Sequence, residues 1–120
     1  AFQNQGGEVW AVRGVEFDLF MSPARWVSSI LQVEAQYAAT GRGNFSNNIV
    51  DGGVIGLRIG GNPKGIAPAS VMVKGNTFRR FYSQPYLFLD SQGNSSKVML
   101  ANRATFEKDN DFSGVQIIKP

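Results

Sequence analysis

Glu16 and Asp18 sit two residues apart in the run EVWAVRGVEFDLFM, the first place where acidic groups could do chemistry. On a strand they share one face, and two close carboxylates can split their pKa values into an acid and a base. The same spacing marks the solvated face of a half-buried strand, and nothing nearby completes a reacting site. Glu107, Asp109 and Asp111, with Asn110 between them, offer oxygen ligands of the kind calcium takes. The glycine and distal glutamate of an ordered calcium loop are missing, so the segment reads as a hydrophilic turn. Gly60 and Gly65 have the gap of a phosphate-binding loop, but Ile66 stands where the lysine is needed; Gly41 and Gly43 begin a GxG that lacks its third glycine. No catalytic residue, metal ligand or cofactor is assigned from these patterns.

Recognition chemistry is better represented. In Arg79-Arg80-Phe81-Tyr82, arginine could hold a phosphate while a ring stacks on a base, a pattern suited to contact with nucleic acid or glycan. Strict strand alternation would place Phe78, Arg80 and Tyr82 on one side, with Arg79 and Phe81 on the other. The candidate binding set is Arg79, Arg80 and Tyr82, joined by Arg42 and Asn44 in the polar stretch RGNFSNN. Asn44-Phe45-Ser46 and Asn94-Ser95-Ser96 are also glycosylation sequons, expected in surface loops.

Composition narrows the chemistry further. The chain of 120 residues contains neither cysteine nor histidine, which removes every Ser-His and Cys-His mechanism, thiolate metal sites and disulfides. The net charge is +3, with the basic residues spread from Arg13 to Lys119 rather than gathered in a tract. No run of 18 apolar residues is present, so no membrane span is expected.

The elements that must position these residues read as mostly strands. Residues 1–7 (AFQNQGG) are polar and end in two glycines, which predicts a flexible arm ahead of a single domain over 8–120. In 8–21, Trp10 and Val12 lie on the opposite parity from Val15, Phe17 and Leu19, which predicts a β-bulge at Arg13-Gly14. Segment 22–40 has helical punctuation: Ser22 can cap, Pro23 sits at the first position, and Gly41 can close the end. Trp26, Ile30, Val33 and Tyr37 form a helical stripe, although Leu31, Val33, Ala35 and Tyr37 also alternate as a strand would, with Ile30 as the defect. Residues 42–48 read as a loop, and β character resumes at 49–59, 70–73, 77–82, 86–89, 97–106 and 112–118.

Short strands at such spacing predict a mainly β domain, an antiparallel sandwich or barrel of seven to eight strands with one helix near 22–40; an all-β jelly-roll-like sandwich is the alternative. With 14 glycines for turns and no catalytic kit, the expected function is non-enzymatic: a structural or assembly subunit of a viral or phage particle, or of an extracellular surface structure. The expected partners are copies of itself or other protein subunits. A carbohydrate-binding module is the alternative; a nucleic-acid-binding barrel and a small enzyme built on Asp, Glu or Tyr rank below it.

Overall fold

The computed structural model describes residues 2–4, 9–20, 27–34, 42–60, 70–90, 92–97 and 100–119. Its strands are β1 (Phe2–Asn4), β2 (Trp10–Arg13), β3 (Glu16–Asp18), β4 (Ser29–Val33), β5 (Gly43–Ser46), β6 (Ile49–Asp51), β7 (Ile55–Gly60), β8 (Val71–Lys74), β9 (Thr77–Phe78), β10 (Arg80–Phe81), β11 (Gln84–Leu89) and β12 (Gln116–Ile117). One short helix, α1, covers Phe106–Asp109.

The sheets run β1-β4-β7-β11, β2-β5-β8, β3-β6-β9 and β10-β12, and every pair of named strands is parallel. Each strand therefore pairs with the equivalent strand one turn of chain away. Trp10 lies opposite Gly43 and Gly43 opposite Val71; Glu16 lies opposite Ile49 and Ile49 opposite Thr77. This is the architecture of a parallel β-solenoid, in which successive coils stack and the core runs up the middle. It overturns the antiparallel sandwich or barrel, and the jelly-roll alternative with it. Alternation of apolar and polar residues is common to parallel and antiparallel strands, so it could not distinguish them.

Phe45, Val50, Leu57, Ile59, Val73, Phe78, Phe81 and Phe106 fill the centre and are fully or almost fully buried. Aromatic rings stack along it: Phe78 on Phe112 with centroids 4.6 Å apart, and Tyr86 on Phe88 at 4.9 Å. The offset and edge-to-face arrangements suit the ring quadrupoles.

At the corner between the β2-β5-β8 and β3-β6-β9 sheets stands a ladder of buried asparagines. Asn76 Oδ1 accepts hydrogen bonds from the backbone N–H of Asn48 (3.0 Å) and from its Nδ2 (3.1 Å). Asn110 Oδ1 does the same for Asn76, at 3.1 and 2.9 Å. The amide nitrogens also donate to carbonyls of the preceding coil, Asn48 to Val12, Asn76 to Phe45 and Asn110 to Val73, and Asn110 donates to Phe106 in its own coil as well. Each rung thus satisfies backbone groups that a sharp corner would leave orphaned. Asn47 (56°) and Gly75 (74°), directly before the Asn48 and Asn76 rungs, turn the corner with a positive φ, as does Gly14 (66°) at the equivalent place in the first coil, the conformation that glycine and asparagine tolerate best.

Several local expectations change accordingly. The parity shift at Arg13-Gly14 is a corner, not a bulge: β2 and β3 belong to different sheets, so both Trp10 and Phe17 turn inward. Ser29–Val33, inside the segment expected to be a helix, is strand β4, and the remainder of that segment up to Trp26 and from residue 35 lies outside the described residues. Ile30 and Leu31 are both fully buried, so Ile30 is no defect; strands of parallel sheets are commonly apolar on both faces. Residues 43–46, expected in a loop, are β5, and of 97–106, expected as a strand, the described residues contribute an isolated bridge from Leu100 to Val71 before the chain turns into α1. Within residues 1–7, Phe2–Asn4 forms a strand that pairs with β4. Among the described residues no helix is long and apolar enough to cross a membrane.

Candidate functional site

Two outer faces carry the polar chemistry. On the β3-β6-β9 face, Asp18 stands in register with Asp51, and Glu16 with Ile49. The Asp51 side chain is almost wholly buried, and Arg80 grips it with two parallel bonds, Nε to Oδ1 at 2.9 Å and Nη2 to Oδ2 at 2.6 Å. This fork-on-carboxylate geometry is the strongest form of ion pair available to arginine. The Asp51 hydrogen bond raises the Arg80 pKa, with desolvation opposing it and the charges of Asp51, Asp18 and Tyr82 adding to the rise. The guanidinium carbon also lies 4.2 Å from the centre of the Phe20 ring, which stacks on Tyr82 at 5.5 Å.

Arg80 and Tyr82, both singled out by sequence, are therefore members of one cluster in which Arg80 Nε and Nη2 are committed to Asp51 and the Tyr82 ring stacks on Phe20. Arg79 points away and meets Glu16 at 3.8 Å, on an exposed surface where such a pair contributes little. Strict alternation through 78–82 fails because β9 ends at Phe78 and β10 begins at Arg80. The corner at Arg79 lets Phe78 and Phe81 both enter the core, with centroids 6.3 Å apart.

The outer face of β2-β5-β8 is different. It carries an open cleft of about 730 Å³, lined in part by Arg13, Arg42, Asn44, Met72 and Ala101. A second cleft of about 490 Å³ shares Arg13, Asn44 and Met72 and extends to Ser46, Lys74 and Asp109. The two form one groove across the stacked coils. Register explains the grouping: Arg13, Ser46 and Lys74 are partners on neighbouring strands, as are Ala11, Asn44 and Met72. The floor depends on Gly43, where a Cβ would collide with the Trp10 indole; the absence of a side chain lets that ring fold inward against Phe2, at 5.2 Å. Arg42 and Asn44, proposed from sequence, thus meet in one groove, whereas Arg13 and Lys74 were missed because nothing in the linear sequence ties them to positions a full coil away.

The acidic candidates do not converge. Asp109 accepts from the Thr105 hydroxyl at 2.6 Å and from Asn102 Nδ2 at 3.0 Å, and these bonds hold its pKa below the usual carboxylate value. Asp111 is lowered likewise by its side-chain and backbone bonds to Ser113. Glu107 pairs with Lys97. Among the described residues no three acidic side chains group closely enough to hold a metal ion. Asn44 lies on a strand rather than in a loop, while Asn94 is exposed in the turn closed by Asp90. No protein-family model matches the chain, and comparison with curated proteins and with solved structures finds no significant match.

Proposed function

We propose that the chain is a non-enzymatic structural element, a solenoid that assembles through its ends into a larger particle or extracellular surface structure. The observation that carries this is the location of the exposed apolar side chains. Among the described residues the large ones are Val9, Val15 and Ile117, exposed by 79, 39 and 46%. All three flank or occupy strands at the edge of a sheet: Val9 precedes β2, Val15 precedes β3, and Ile117 lies in β12. An edge strand presents unpaired N–H and C=O groups, and an apolar rim beside it favours addition of another strand layer. In a solenoid such addition repeats the contact each coil already makes with the next. The partner in this reading is a second copy or another subunit with the same edge geometry. The absence of histidine and cysteine, and the closure of the Asp51-Arg80 cluster on itself, support a non-catalytic role.

Sedimentation velocity across a concentration series tests this reading. The expected result is a multimer that grows with concentration and is weakened by the double change Val9→Lys and Ile117→Lys. A strict monomer at the highest soluble concentration would overturn it.

A further inference from the structure

We infer that the groove on the β2-β5-β8 face is a binding site for a linear acidic saccharide, one whose sugars carry carboxylates as well as free hydroxyls. Two features of the groove make complementary demands on a ligand. Its cations, Arg13, Arg42 and Lys74, form no ion pair within the described residues, in contrast to Arg79, Arg80 and Lys97, each of which has an acidic partner. Such a row attracts a polyanion whose charges are spaced along its length. Among the described residues the acid lining the groove is Asp109, which bonds Thr105 and Asn102 and also feels the charge of Lys74, so the uncompensated charge is chiefly that of Arg13 and Arg42.

The second demand comes from Asn44, which lines both parts of the groove between the cations. Its Oδ1 is buried and accepts no hydrogen bond. A buried acceptor without a donor is costly to leave so. Carboxylates and phosphates cannot satisfy it, because they only accept; a sugar hydroxyl can donate to it once the Asn44 side chain turns its amide oxygen toward the groove. A ligand bearing both anions and hydroxyl donors meets the two requirements at once. Single-stranded nucleic acid fits less well. Its bases need an aromatic platform, and the one ring at the groove, Trp10, is only 8% exposed and packed on Phe2. Met72 supplies a small apolar patch for the face of a sugar ring.

The groove meets the assembly edge at Val9 and β2, whereas Ile117 lies in β12 outside it, so Ile117→Lys tests assembly without touching the groove and each proposal can fail alone. Titration calorimetry at low salt with oligogalacturonate and oligomannuronate should show binding that weakens as salt is added. A neutral oligosaccharide of equal length and a single-stranded oligonucleotide should bind at least tenfold more weakly. The double change Arg13→Gln with Arg42→Gln should reduce affinity for the acidic sugars tenfold or more, and Asn44→Leu should reduce it severalfold at every salt concentration. Arg58→Gln, on the β1-β4-β7-β11 face, should leave it unchanged. Circular dichroism and the thermal midpoint of each variant establish that it is folded. Overturning results are absence of binding by both acidic sugars at millimolar concentration, equal or tighter binding of the neutral sugar or the oligonucleotide, or undiminished binding by the folded double variant.

Discussion

Asn76→Ala tests the physical basis of the fold most directly. Asn76 is 1% exposed and sits in the middle of the ladder, where its side chain makes four hydrogen bonds. Truncation removes all four but does not affect every partner equally. Asn48 Nδ2 keeps its bond to the Val12 carbonyl, and Asn110 Oδ1 keeps the Asn76 backbone N–H. The Asn48 backbone N–H loses its acceptor inside a corner that water does not reach. Stranding one buried donor costs about 1–3 kcal/mol, and each further lost bond adds roughly 0.5–1.5 kcal/mol net. The expected loss is therefore about 2.5–7.5 kcal/mol, a large share of the stability of a domain this size. With an unfolding entropy near 2.1 cal/mol/K per residue, a chain of 120 residues drops about 4 °C per kcal/mol, which predicts a midpoint lowered by at least about 10 °C. Differential scanning calorimetry measures this directly. Asn94→Ala, in an exposed turn, serves as reference and should fall within about 0.5 kcal/mol of the parent. If Asn76→Ala lowers the midpoint by less than about 4 °C, the ladder does not hold the corner and the reasoning is refuted.

Three further outcomes are expected. Arg80→Met leaves the buried Asp51 carboxylate without its fork and should cost about 2–3 kcal/mol in urea denaturation, whereas Asp51→Asn with Arg80 intact should cost less because arginine can reach water. Gly43→Ala drives a methyl into the Trp10 indole and should destabilise by about 1–3 kcal/mol with an altered tryptophan emission; an unchanged spectrum at full stability would show that the ring does not lie there. Asp109 is depressed in the folded state, so its contribution is complete above the unfolded carboxylate value near 3.9 and is lost as pH falls through the lower folded value. The thermal midpoint of the parent should consequently fall more steeply below about pH 4 than that of Asp109→Asn, and parallel profiles would contradict the assignment.

The β character of the chain and the absence of histidine- and cysteine-based chemistry were legible in the residues themselves, and Arg42 and Asn44, singled out from the sequence, fall in one groove. Even the ladder has a linear trace. Gly14-Val15-Glu16-Phe17, Asn47-Asn48-Ile49-Val50, Gly75-Asn76-Thr77-Phe78 and Asp109-Asn110-Asp111-Phe112 are equivalent corners, each placing a turn residue, a ladder position, an outward side chain and an inward apolar one. Their spacings of 33, 28 and 34 residues differ, because the connections between coils vary in length. A search for a fixed period therefore passes over them.

Which strand pairs with which was decided only in three dimensions. Side-chain alternation records that one face is buried but carries no information on the direction of the neighbour, and a parallel partner lies a whole coil away in sequence. The same separation hid the groove. Arg13, Asn44 and Lys74 come from three successive coils, and only stacking at strand spacing brings them onto one face. A linear chain specifies the alternation and the corners locally; the site arises from contacts between residues about thirty positions apart, and those exist only once the coils have stacked.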